Sequence, residues 1–265
     1  MTNSKYPILL NSDGKDEIVT TSKYANSKPL NFEKVDEIKR KGITRCFFVF
    51  RYNPEENPFL NSLNIVFHFH AGSVTTKVFE YKNSLIAIAP LGGPSAAKLM
   101  EELSIFGITE FIAIGSAGCL DPSVKDKFIL VEKAVRDEGT SYHYLKPSIY
   151  VETNHDLNNY LEKFLKQKDI DYIRGTTWTT DAFYRETQQK IDMAKNYNAI
   201  AAEMECASWC AVAKYRGFKF AQLLYFSDVL NQKAWTRLIN HQSGYNNDKR
   251  DLMILLTKDM IDSSI

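Results

Sequence analysis

The chain has 265 residues, with 33 Lys and Arg against 32 Asp and Glu for a formal net charge of +1, and it is 44% hydrophobic. This balance excludes an electrostatic nucleic-acid binder, and the composition excludes a disordered or fibrous chain. No apolar run reaches the ~20 residues of a membrane span and Met1–Gly14 has no signal-peptide core, so no membrane partner and a cytoplasmic location are expected.

Residues 1–35 are polar and irregular and read as an arm over the main body. Asn53 to Ser62, with Pro54 and Pro58, reads as a loop. Leu63–Phe69 and Val74–Tyr81 alternate as strands do, and Ser84–Pro90 is apolar on both faces, as in a buried central strand. Leu91-Gly-Gly-Pro94 is a turn. Ser95–Phe106 follows as a helix, with Leu99, Met100, Leu103 and Phe106 on one face and Gly107 as its stop. Phe111–Gly115 is a second apolar strand, which completes a βαβ unit.

Further along, Phe128–Val135 is a strand and Thr153–Asp156 starts a helix carrying Leu157, Leu161, Phe164 and Leu165. Asp171–Thr180 is strand-like. Ala199–Ala202 leads into a helix with Met204, Ala207, Cys210 and Ala211 that stops at Gly217. Phe218–Phe226 is a long apolar strand, and residues 246–262 form a closing amphipathic helix. Alternating strands and helices predict one α/β domain over 1–265, a three-layer α/β/α sandwich with a mixed, mainly parallel central sheet. Cys46, Cys119, Cys206 and Cys210 lack the spacing of a zinc or redox motif and are expected to be reduced and packed, with no metal site.

Ligands gather at strand carboxyl ends in such sheets. Gly115-Ser116-Ala117-Gly118 is read as either a tight turn needing positive φ or a backbone that closes on an anion. Glu203 and Glu205 are the only polar side chains in an otherwise apolar stretch. Each is read either as a ligand for vicinal sugar hydroxyls or as a helix-start carboxylate favoured by the macrodipole. Asp228, after Ser227 at the end of the most apolar strand, suits acid–base work but equally an Asx-turn. Phe183 offers a stacking surface, and Arg136 to Tyr144, with His143, is too polar for a core.

Six segments resemble the nucleoside phosphorylases of the uridine phosphorylase and hexameric purine nucleoside phosphorylase type, a family that includes nucleosidases. They are Gly92–Ser95 before a helix with Glu101-Glu102-Leu103, Ile114–Gly118, Val135–His143, Asp181–Tyr184, Glu203–Glu205 and Ser227-Asp228, in the family's order from about residue 64 to 230. Residues 1–60 form a divergent N-terminal segment. The resemblance implies cleavage of a nucleoside N-glycosidic bond. Phosphate is the implied co-substrate, no other cofactor is used, and a homo-oligomer (a dimer or trimer of dimers) is implied. Water as acceptor and a catalytically inactive nucleoside binder are the alternatives.

By the same resemblance Met204 and Glu205 hold the ribose, Phe183 lies against the base and Ser116 binds phosphate. Asp228 protonates a departing purine. Gly92, Glu203, Ser227, Arg136 and His143 complete the substrate-binding set. The family's arginines are missing at three places: no Gly-Asp-Pro-x-Arg segment occurs, and Gly72 and Ala113 stand where arginines are usual. Arg45, Arg51, Arg136 and His70 are the substitutes the sequence offers.

Overall fold

The computed structural model describes residues 17–27, 31–50, 57–231, 234–238 and 245–263. The early helices are α1 (Thr21–Ser27), α2 (Phe32–Arg40) and α3 (Pro58–Asn61), with strand β1 (Arg45–Val49) between the last two. Three strands follow, β2 (Asn64–Ala71), β3 (Val74–Tyr81) and β4 (Ser84–Ile88), then α4 (Gly93–Ser104) and β5 (Glu110–Cys119). Next come β6 (Phe128–Asp137), β7 (Tyr150–Glu152), α5 (His155–Gln167), β8 (Tyr172–Thr180), α6 (Gln188–Asn196), β9 (Ala199–Glu203) and α7 (Cys206–Arg216). The chain closes with β10 (Lys219–Asn231), β11 (Ala234–Arg237) and α8 (Tyr245–Asp262).

Part of the expected irregular arm is helical, in α1 and the start of α2. The Asn31 side chain accepts from the Lys34 amide and starts α2, which buries Val35 and Ile38. Asn57 does the same for α3 inside the expected loop. Arg45-Cys-Phe-Phe-Val49 is a central strand with its last four residues buried, and the sequence reading passed over it. Elsewhere the expected elements stand. Asn154 caps α5 through the Leu157 amide, and α7 ends at Gly217 with φ 74, a left-handed C-cap.

The strands are ordered β11-β10-β6-β8-β9-β5-β1-β4-β3-β2, and β10 also pairs with β5. Strands β10, β6, β8, β9 and β5 therefore form a closed ring, with β1, β4, β3 and β2 as an open wing. Pairing is parallel along β4–β1–β5–β10 and β6–β8–β9. It is antiparallel at β2–β3, β3–β4, β5–β9, β6–β7, β6–β10 and β10–β11. The sheet is thus mixed, and its two longest ladders, β5–β10 and β6–β8, are parallel. Right-handed twist, accumulated over so many strands, lets one end curl until β10 meets β5.

Alternation along β1 feeds two apolar clusters. Cys46 and Phe48 pack with Ile38 of α2, Leu99 and Leu103 of α4 and Trp209 of α7. Phe47 and Val49 pack with Leu161 and Phe164 of α5 and Met253 and Ile254 of α8. Helix α7 is buried from Cys206 to Ala213, which explains its apolar circumference. No helix among the described residues is long and apolar enough to cross a membrane.

Candidate active site

The Gly115–Gly118 segment is not a turn. It continues β5, and neither glycine has positive φ. Each glycine is required by a close approach instead. A Cβ on Gly115 would sit 2.7 Å from the Phe50 ring, and one on Gly118 would sit 2.7 Å from Leu230 Cδ1 and 3.3 Å from Asp228 Oδ2. Gly118 lies between two strands, with Ala202 of β9 on one side and Asp228 of β10 on the other. The start of the Glu203–Glu205 segment and Asp228 therefore flank β5, about 10 Å apart at two strand spacings.

The two glutamates have different jobs. Glu203 is buried and accepts the amides of Glu205 and Cys206 at 2.8 and 2.7 Å, together with the hydroxyl of Thr179. Thr179 in turn accepts the Ala207 amide at 3.0 Å. These bonds satisfy the otherwise orphaned donors of the first turn of α7, so Glu203 is a helix-start carboxylate. Its oxygens are occupied by the protein's own donors.

Glu205 is buried and accepts one short bond, 2.6 Å from the Gly92 amide. Gly92 precedes α4 with φ 89 and ψ 147, a conformation suited to glycine alone. Its amide is spent on Glu205. Burial pushes both glutamates above the ordinary carboxylate range, and for Glu205 the neighbouring charges of Glu203 and Asp181 push the same way. Met204 is half-buried at the bend between them.

Asp228 is held from both sides. Ser227 donates to Oδ1 at 2.6 Å and Trp235 Nε1 to Oδ2 at 2.9 Å. The β10–β5 register shifts between Phe226 and Asp228, so Ser227 is a bulge residue that re-aims its neighbour. Ser116 is exposed on β5 opposite Tyr225. Phe183 and Tyr184 form an edge-to-face pair at 5.2 Å and are 44% and 94% exposed, so their faces are open to a ligand.

Arg136 departs from its expected role. Its guanidinium donates to Ser141 and Ser148 hydroxyls and to the Lys146 and Leu145 carbonyls, and it lies over the Tyr142 ring. It ties the 137–150 loop together and has no fork to offer an anion. His143 is exposed on the short turn Thr140–His143 of the same loop. Arg45 sits at the amino end of β1, paired with Glu110 at 2.8 Å and stacked on Tyr160. His70 Nδ1 meets the Thr75 hydroxyl on the β2–β3 hairpin. Arg51 lies outside the described residues.

Three neighbours were not expected. Trp235 reaches Asp228 because β11 folds back on β10, which nothing in its own sequence signals. Asp181 accepts the Gly139 amide at 2.8 Å and joins the β8 end to the 137–150 loop. Glu186, after the turn Phe183–Arg185, is half-buried, and burial and the Asp228 charge push its carboxyl up to about 7. Among the described residues no set of three or more His, Cys, Asp or Glu is arranged to hold a metal. The four cysteines are free and buried.

Comparison with known proteins supplies the family. The chain belongs to the Phosphorylase superfamily, which it matches over residues 51–256. It is 27% identical over 224 residues to an uncharacterised protein of Acanthamoeba polyphaga mimivirus, covering 82% of this chain and 86% of that one. It is 32% identical over 131 residues to a guanosine phosphorylase of Halorubrum lacusprofundi, covering 49% of this chain and 54% of the relative. A uridine phosphorylase of Thermococcus kodakarensis is 32% identical over 140 residues, half of each chain. The match thus spans about half the length of each of these phosphorylases.

Among solved structures, futalosine hydrolase of Helicobacter pylori superposes with a TM-score of 0.66 at 19% identity, covering 83% of this chain and 98% of that one. The 5'-methylthioadenosine/S-adenosyl homocysteine nucleosidase of Campylobacter jejuni gives 0.66 at 20% identity, covering 83% and 99%. At these identities the likeness is one of fold.

Proposed function

We propose that the chain cleaves the N-glycosidic bond of a purine nucleoside with phosphate as acceptor, releasing the free base and ribose 1-phosphate. The observation that carries this reading is the pairing of Gly118 with both Ala202 and Asp228, which sets the two acid-bearing segments on either side of one strand. Breaking the bond builds positive charge on the sugar and negative charge on the base. Glu205, fixed by Gly92, orients the ribose hydroxyls and sits near the cationic sugar, with Met204 beside it. Asp228, fixed by Ser227 and Trp235, gives its proton to the departing base. Phe183 covers the base and Ser116 contacts phosphate. This chemistry calls on no metal or organic cofactor.

Sequence likeness to a guanosine phosphorylase and a uridine phosphorylase supports phosphorolysis. One observation favours water instead: Arg45 and Arg136 are committed to the protein's own groups. We further infer a homo-oligomer, since Leu91, Phe183, Tyr184 and Trp235 leave apolar surface exposed near the site. The deciding experiment measures base release from adenosine, inosine and guanosine with and without phosphate. Phosphorolysis requires release to depend on phosphate. Equal rates in its absence overturn phosphorolysis in favour of hydrolysis, and no release from any nucleoside overturns cleavage altogether.

A further inference from the structure

We propose that Glu138 is a positioning residue for Glu205: through the Ser208 hydroxyl it seats the start of α4 on α7, and so sets the Gly92 amide that holds the Glu205 carboxyl. This rests on the reading of Glu205 as the group at the ribose hydroxyls.

Glu138 lies near the start of the 137–150 loop and is 5% exposed. One oxygen, Oε2, accepts the Ser141 amide at 2.9 Å and the Ser208 hydroxyl at 2.8 Å. The other, Oε1, is buried and accepts from no group among the described residues. A carboxyl oxygen left in that state lowers stability, and an apolar side chain would fill the space without that penalty. What the carboxyl supplies is a fixed direction for the two donors it does hold. Ser141 is itself buried, and Arg136 Nε donates to its hydroxyl at 2.8 Å. The carboxyl is thus anchored on the loop side and reaches α7 with its other bond.

Ser208 is buried in the first turn of α7, three residues after Glu205. A Cβ on Gly93 would stand 2.4 Å from Ser208 Oγ and 3.1 Å from Thr140 Oγ1. The Gly93 backbone therefore packs directly on these two hydroxyls, with no room for a side chain between. Gly93 follows Gly92, whose amide donates to Glu205 at 2.6 Å. The contacts close a circuit, from Glu138 to Ser208, from Ser208 to the Gly93 backbone, and from Gly92 back to Glu205 on α7. Trp209, next to Ser208, makes a second tie between the same helices, from Nε1 to the Ala96 carbonyl at 3.0 Å. That tie holds the helices together when the first is cut. With the Ser208 hydroxyl lost or free to turn, Gly93 loses its seat and Glu205 meets the ribose out of line, a small misplacement with a large effect on rate.

The test measures kcat/KM for adenosine, inosine and guanosine, each against its 2'-deoxy form. The proteins are the unaltered chain, Ser208→Ala, Glu138→Ala, the double variant and Glu138→Gln. A deoxynucleoside lacks the 2'-hydroxyl and has less to lose when Glu205 is displaced, whereas a merely destabilised protein loses both forms alike. We expect the ribo-to-deoxy ratio to fall about tenfold in each alanine variant, the worth of one well-placed hydrogen bond. It should fall no further in the double variant, because both changes cut the same path. Glu138→Gln should keep the ratio, since its amide oxygen accepts the same two bonds. An unchanged ratio in a folded alanine variant, losses that add in the double variant, or a fall in Glu138→Gln equal to that in alanine overturns the proposal. Where Glu138→Ala does not fold, Ser208→Ala against Glu138→Gln decides by the same ratio. If the unaltered protein cleaves no nucleoside, the cleavage reading has failed separately, and calorimetric affinities for the same pairs replace the rates. A preference for the ribonucleoside that Ser208→Ala lowers and Glu138→Gln keeps supports the proposal. Equal affinities in the unaltered protein, a preference that Ser208→Ala retains, or no binding of any nucleoside overturns it.

Discussion

The Gly92 amide donates to the Glu205 carboxylate across 2.6 Å, bridging the turn before α4 and the start of α7, 113 residues apart in sequence. This bond fixes Glu205 from outside its own helix. Gly92 makes it with φ 89, a backbone conformation that favours glycine.

Gly92→Ala tests the bridge. A Cβ there meets nothing within 4 Å, so the cost is backbone strain and not a clash. We expect a loss of about 1–3 kcal/mol in urea denaturation, with a fall in turnover from a displaced Glu205.

Glu203 and Glu205 should separate cleanly when each is changed to alanine. Glu203→Ala leaves the first amides of α7 without an acceptor and should lower stability by about 1–3 kcal/mol. Glu205→Ala should keep the fold and lose turnover by about a hundredfold or more. Paired denaturation and kinetic measurements decide, and equal stability losses would contradict this assignment.

Glu205→Gln carries a pH signature. The carboxyl is held above its ordinary range in the folded protein and is ordinary when unfolded. As pH rises past the ordinary carboxylate range, the unfolded chain releases this proton first, so stability falls until the folded group also ionises. Glutamine does not titrate. The variant should therefore gain stability relative to the unaltered protein between about pH 5 and about pH 8, read by thermal unfolding, because the raised group loses stability across that window.

Gly118→Ala crowds Asp228 from behind. The new Cβ would press on Leu230 at 2.7 Å and Asp228 at 3.3 Å. We expect an overpacking cost of about 1–3 kcal/mol. Steady-state kinetics should show a fall in kcat from the displaced Asp228 carboxyl.

Asp228→Asn should slow purine nucleosides by about a hundredfold or more while sparing pyrimidine nucleosides. Pyrimidine leaving groups have no imidazole nitrogen to protonate, so an equal loss on both classes would remove the acid role.

Much of the fold was legible because its signals are local. Strands β2, β3, β4, β6 and β8 and helices α4 and α5 follow from alternation, helical spacing and caps. The ring closure was not, because the pairing of β10 with both β5 and β6 depends on accumulated twist. Strand β1 was hidden among polar neighbours. At the site, the motif residues Glu205, Asp228 and Gly92 could be picked out, but the division between Glu203 and Glu205 could not. It depends on which oxygen meets which amide. Arg136 looked like an anion ligand because a sequence does not show where a guanidinium spends its donors. Trp235 carries no signal of its own, and only its hydrogen bond to Asp228 marks it.

A ring of five strands cannot be spread or narrowed without breaking a ladder of hydrogen bonds. The spacing between the Glu203–Glu205 segment and Asp228 is thereby set by backbone that tolerates little adjustment. The turn from Asp181 to Thr187 lies beyond the end of β8, outside the strand ladder, and is tied to the 137–150 loop by the Asp181–Gly139 bond. Under the proposed chemistry, bond breaking belongs to the inflexible hoop and contact with the base to the turn that carries Phe183. A lineage can then rewrite a few residues in that turn and change its preferred base while the scissile machinery stays as it was.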